Sequence, residues 1–167
     1  MALVTLSDIS EDAGHPVGVI GLARLESGRI LVSIGDLEPA MRHLWTAMRR
    51  LSSAEMPAEA VICAMEWLDI ALDDVDPDSP TMDDRIVNAK PRESPGLTTS
   101  PSNPADIKES VEMILSNGLL DVTGARRDDL GLVLDASDAL GEPVWRAAIE
   151  ERQIEIQDSR LIEVLQS

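Results

Sequence analysis

The carboxylates Asp73, Asp74, Asp76, Asp78, Asp83 and Asp84 form the densest grouping of chemically capable side chains in the sequence. Oxygen ligands spaced like this could suit a calcium loop, which needs a glycine turn at its sixth position and a bidentate glutamate at its twelfth. Counted from Asp73, those positions hold Asp78 and Asp84, so a dedicated calcium site is not expected. Paired carboxylates also serve acid–base catalysis, but they need a shaped cleft, and a chain with no Tyr and no Phe lacks the aromatic residues that usually line sugar sites. His15 and His43 are the only histidines and Cys63 the only cysteine, too few for a metal set at ligand spacing. Cys63 stands among Val61, Ile62, Ala64 and Met65, where a buried structural thiol is expected rather than a nucleophile. Gly18 and Gly21 match neither glycine-rich phosphate fingerprint. No catalytic residue, metal ligand or cofactor is predicted, and the protein is not expected to be an enzyme.

The acids do form a pattern. Glu59, Glu66, Asp69, Asp73 and Asp76 recur at helical intervals and fall along one side of a helix that feeds the Asp-rich segment. A single-sign stripe is either a solvated face, since charge keeps proteins soluble, or a docking surface for a basic partner. The distribution of charge bears on the choice. Residues 1–54 hold six acids against five bases, net −1, whereas residues 55–103 and 104–167 each carry net −8. A surface adapted to salt throughout would not produce that asymmetry.

The net charge of −17 and pI near 4.3 argue against direct binding to nucleic acid, which needs clustered Lys and Arg, and against an anionic membrane surface. With three Trp as its only aromatics, the chain also lacks platforms for stacking single-stranded bases. A lone cysteine excludes an intramolecular disulfide framework and fits a reducing compartment. The first residues carry neither a positive segment nor an apolar run of signal-peptide length, and no stretch reaches the length of a membrane span, so a cytoplasmic location is expected.

The elements that would position the stripe read as an α+β fold in three parts: an N-terminal part over 1–76, a Pro/Ser-rich linker over 77–103 and a mainly helical part over 104–167, with one core shared by the two outer parts as an alternative. Val17 to Leu25 and Arg29 to Ile34 are rich in β-branched and aliphatic residues and flank Glu26-Ser27-Gly28, which predicts a β-hairpin. A helix pair covers it. Leu37, Met41, Leu44, Met48 and Leu51 make an apolar helical stripe, and Pro57 opens a second helix to about Asp74 with Ala58, Val61, Met65, Leu68 and Leu72 inward. Asp73 and Asp74 then put negative charge at the unfavourable end of the helix dipole.

Five prolines between Pro77 and Pro101 predict a mobile linker, or a segment that orders on a partner. Asn103-Pro104 is a helix start and Asn117-Gly118 a stop. Leu119 to Val122 suggests a short strand; Leu130, Val133 and Leu134 fit a helix, but the β-rich composition and Gly131 favour a strand over Leu130 to Leu134; Glu142-Pro143 opens a helix through about Arg152, Ile154 and Ile156 suggest a short strand or extended link, and Asp158 caps a last helix over Ser159 to Leu165.

The resulting expectation is a non-catalytic acidic protein that occupies a basic surface of a protein partner, in the manner of an immunity-type inhibitor or a DNA mimic. Its contact residues would be Glu59, Glu66, Asp69, Asp73, Asp74 and Asp76, with Trp67 as an aromatic anchor. The alternative is a structural subunit or secretion-type chaperone that binds through apolar helix surfaces, for which a homodimer is one expected form.

Overall fold

The computed structural model describes residues 14–88, 101–117, 129–151 and 165. The described residues are helical: α1 (Val17–Ser33), α2 (Leu37–Ser53), α3 (Pro57–Ala71), the short α4 (Met82–Val87), α5 (Pro104–Ser116), α6 (Asp129–Leu140) and a helical stretch α7 over 143–151. Among them there is no strand, only an isolated parallel bridge between Val75 and Ser102. The α+β class is therefore corrected to all-α for these residues. Consecutive helices α1, α2 and α3 pack side by side, α3 packs on α5, and α5 on α6, with α4 touching α2.

The expected hairpin is the single helix α1. Its inward residues Ile20, Ala23, Ser27 and Leu31 repeat at three or four positions, a period that short aliphatic runs disguised as strand alternation. Ser27, expected in the turn, lies mid-helix and donates its hydroxyl to the Ala23 carbonyl at 2.9 Å. Gly28 permits close packing: a Cβ there would lie 2.9 Å from Leu44 and 3.3 Å from the Ala40 carbonyl oxygen. Gly21 meets Leu51 in the same way, so α1 and α2 run antiparallel along a seam of glycines. Glycine's poor helix propensity, about 1 kcal/mol below alanine, is overridden by this contact.

Two helices end alike. After α1 the Gly35 N–H reaches the Val32 carbonyl and the Asp36 N–H the Leu31 carbonyl, with Gly35 at φ +80°. This is the Schellman arrangement, whose turning residue needs the left-handed region. After α2 the same two bonds form, Glu55 to Ser52 and Met56 to Leu51, but the turning residue is Glu55 at φ +57°. Ser52 and Ser53 belong to α2, and Met56 stands at the N-cap of α3.

One hydrophobic cluster runs through the described helices. Met41, Leu44, Met48 and Leu51 of α2, Val61, Met65 and Leu68 of α3, Ile107, Val111 and Ile114 of α5, and Leu132, Val133 and Ala136 of α6 belong to it. Trp45 and Trp67 meet at its centre, ring centroids 4.8 Å apart and tilted by 54°. Trp145 and Ile149 of α7 also belong to it. The strand expected at Leu130 to Leu134 is instead the start of α6, where Leu132, Val133 and Ala136 supply a helical stripe and Gly131 is accommodated within the helix. The strands expected at 119–122 and around Ile154, and the final helix from 159 except Leu165, lie outside the described residues.

The proline-rich segment is described at both ends. Residues 77–88 and 101–103 are joined to the helices, with Met82 fully buried in the core. Residues 89–100 lie outside the description.

Candidate acidic contact site

α3 ends at Ala71, and Asp73 and Asp74 fold back as a turn, their N–H groups on the carbonyls of Ile70 and Ala71. The chain then pairs with the segment before α5. Ser102 donates its N–H to the Asp74 carbonyl at 2.9 Å, and Asp76 donates its N–H to the Ser102 carbonyl at 3.0 Å. Asp76 turns the loop by accepting the Asp78 N–H on Oδ1 at 3.0 Å, a local carboxylate turn. Beneath it, Ser79 donates its hydroxyl to the Pro101 carbonyl, Arg85 donates to both of those groups, and Asn103 donates its side-chain amide to the Ser79 carbonyl. Arg85 is itself held 3.6 Å from Glu38 of α2, with little of its side chain exposed. These bonds satisfy loop carbonyls that would otherwise be buried unpaired, and they fix the backbone that carries the acids.

α4 is positioned by three carboxylates. Thr81 caps it, accepting the Asp84 N–H and donating its hydroxyl to Asp84 Oδ2 at 2.7 Å. Asp83 accepts the Trp45 indole N–H at 3.0 Å and an Arg49 N–H at 2.7 Å, and Arg49 also pairs with Glu109 of α5 while lying over the Trp45 ring at 5.2 Å. Asp106, in the first turn of α5, accepts the Met82 N–H at 2.7 Å. Burial raises the Asp106 carboxyl to about pH 6, with Asp83 and Glu109 adding to the rise and the Met82 N–H and Arg85 opposing it.

The expected contact residues fall into different environments. Asp73 and Asp74 are exposed on the turn, as are Asp78 and Asp84 beyond it. Asp76 is half-buried and committed to the turn, and Glu59 and Asp69 are half-buried on α3. Glu66 is drawn into the fold, its two oxygens accepting the Arg29 Nε–H at 2.9 and 3.2 Å and so tying α3 to α1. Trp67 is corrected: it is fully buried against Trp45, so it offers no surface for a partner. The stripe expected along one helix thus becomes a bent acidic edge, with its exposed charge displaced beyond the helix end.

Sequence reasoning did not single out Asp106, Arg85 or the arginines of α1 and α2. Asp106 carried a signal, an acid three residues after an Asn-Pro cap, which ordinarily reads as a capping box. Here Asn103 caps through its own side chain, accepting the Ala105 N–H at 2.9 Å, and Asp106 reaches across to α4.

Other reactive groups are quiet. Burial pushes the Cys63 thiol up to about 12, so it stays protonated and inert at neutral pH. His43 is held down at about 4 by burial and by Arg24 and Arg42, and accepts a hydrogen bond from Arg24 at 3.1 Å. No three His, Cys, Asp or Glu side chains among the described residues are grouped to hold a metal ion, and no helix among them is long and apolar enough to cross a membrane. Comparison of the chain with known protein families, with curated proteins and with solved structures found no match in any of the three.

Proposed function

We propose that this is a non-catalytic, cytoplasmic protein that uses the acidic edge between α3 and α4 to occupy a basic surface of a protein partner, as an inhibitor or immunity-type protein does. The supporting observation is the division of labour among the charges. Arg49 and Arg85, the cations bound next to this edge, are already engaged by Asp83, Glu109 and Glu38. Asp74 and Asp78 are exposed with no ion pair among the described residues, on a backbone clamped by Ser79, Arg85, Ser102 and Asn103. A fixed array of uncompensated like charge raises the association rate with a basic partner and loses that advantage in salt.

The test is binding of a basic partner, recovered at low salt on the immobilised protein, by wild type and by the triple variant Asp73→Asn, Asp74→Asn, Asp78→Asn. The reading expects binding that weakens with salt and is reduced at least about tenfold in the variant. Equal binding by both would make the edge a solvated face. Removing negative charge just beyond the C-terminal end of α3 favours its helix dipole, and urea unfolding of the variant separates a lost contact from a lost fold.

A second reading, a structural subunit or chaperone that pairs through apolar helix surfaces, is favoured by α1, which leaves Val17, Val19 and Leu22 exposed. It expects a homodimer or a partner complex insensitive to salt and disrupted by Leu22→Glu.

A further inference from the structure

Asp106 is a carboxylate placed where charge is hard to keep. It lies in the first turn of α5, is 5% exposed, and among the described residues accepts one hydrogen bond, from the Met82 N–H at 2.7 Å. Ser110, one turn further along the same face of α5, and Ser102, just before the helix, are buried with it. Neither hydroxyl has a hydrogen-bond partner, so neither solvates the carboxylate. The charged groups around it are engaged with one another. On α4, Asp83 holds Arg49 of α2, and Arg85 faces Glu38 of α2 at 3.6 Å; on α5, Glu109 takes a second position on Arg49. Asp83 and Glu109 press on Asp106 with like charge, and Arg85 and the Met82 N–H offset them in part. Burial outweighs both and raises the carboxyl from 3.8 to about 6.

The element that covers Asp106 is α4. Its six residues are far fewer than the roughly 12–15 a helix needs to persist alone in water, so α4 exists by its contacts. The Met82 side chain is fully buried, Asp83 accepts the Trp45 indole N–H, and Arg85 reaches Ser79 and the Pro101 carbonyl. A segment held by so few groups can open as a local unit while the core stays folded. When α4 lifts, Asp106 regains water and parts from Asp83. Its ionised form therefore favours the lifted state and its protonated form the docked one.

We propose that Asp106 is a proton-operated latch on α4: protonated, it keeps α4 docked on α2 and α5, and ionised, it lets α4 open locally and so loosens the acidic edge that α4 bounds. The consequence for the edge rests on the acidic-edge reading. The latch itself needs no partner, so either can fail alone.

Amide hydrogen exchange of the full chain, followed by NMR between about pH 5 and pH 7.5 and corrected for the intrinsic rate at each pH, tests it. The Met82, Arg85 and Asn88 N–H groups, bonded to Asp106, the Thr81 carbonyl and the Asp84 carbonyl, report α4. Those of Leu44 and Met48 report the buried core of α2. The α4 amides should exchange faster than the core amides, and their protection should fall about tenfold across the range, the change imposed by a group that moves from about 6 when docked to 3.8 when open. In Asp106→Asn, protection of the α4 amides should be unchanged by pH and higher than in wild type at the upper end of the range. Exchange of the α4 amides in step with the core at every pH, a flat wild-type profile, or the same slope in the variant would overturn the proposal. The first two are outcomes of the wild-type protein and do not depend on the variant folding.

Discussion

Gly21 of α1 lies against Leu51 of α2 so closely that a Cβ built on the glycine would stand 2.7 Å from Leu51 Cγ and 3.2 Å from its backbone nitrogen. Leu51 is fully buried, and its backbone is held in α2. Two effects of Gly21→Ala therefore oppose each other. Alanine favours the helix by about 1 kcal/mol, and overpacking of a tight contact costs roughly 1–3 kcal/mol. Because the neighbour includes backbone, the clash wins, and a net loss of about 1–2 kcal/mol is expected from the urea midpoint. A stabilised variant would mean that the α1–α2 seam is looser than described.

Glu55 closes α2 in a conformation that Gly35 adopts without strain at the equivalent point after α1. Its side chain is exposed, so little contact is lost on replacement. Glu55→Gly is expected to raise stability by about 0.5–1 kcal/mol in thermal or urea unfolding, relief of left-handed strain outweighing the added freedom of the unfolded chain. A destabilised variant would show that the Glu55 side chain has a role beyond the turn.

The Asp106 carboxyl, at about pH 6 in the fold against an ordinary 3.8, binds a proton more tightly when folded than when unfolded. Its contribution to stability is therefore complete below the ordinary value and is lost as pH rises through about 6. Asp106→Asn keeps an acceptor for the Met82 N–H without the buried charge. It should stabilise the protein by roughly 1–2 kcal/mol above about pH 7 and make little difference below about pH 5. His43 acts in the other direction: held at about 4 against 6.5, it supplies stability above the ordinary value that is lost as pH falls through about 4. Urea unfolding of wild type and Asp106→Asn across this range separates the two, since only the upper limb should change in the variant. A difference independent of pH would place the effect of Asp106 in its hydrogen bond rather than its charge.

The helices with strong amphipathic spacing were legible in the sequence. Leu37, Met41, Leu44, Met48 and Leu51 mark α2 on sight, and Asn103-Pro104 marks the start of α5. α1 was not, because it is apolar around much of its circumference and its glycines, ordinarily turn signals, serve a helix contact that exists only once α2 is alongside. α6 was misread for a related reason: Leu132 and Val133 are adjacent, and only packing on α5 and α3 shows that both face the core. Acidity near residues 73–84 was plain in the sequence, but its partition was not. Whether a carboxylate is exposed like Asp74 or spent internally like Glu66 and Asp83 depends on arginines 37 and 34 positions away, pairs that no local pattern links.

The most direct measurement of the central claim is the salt dependence of binding to a basic protein partner, compared between wild type and the Asp73→Asn, Asp74→Asn, Asp78→Asn variant. The acidic-edge account predicts a steep fall in wild-type affinity with salt and a much shallower one in the variant, with an affinity at low salt at least about tenfold weaker. Identical affinities and identical salt slopes for the two proteins would contradict it.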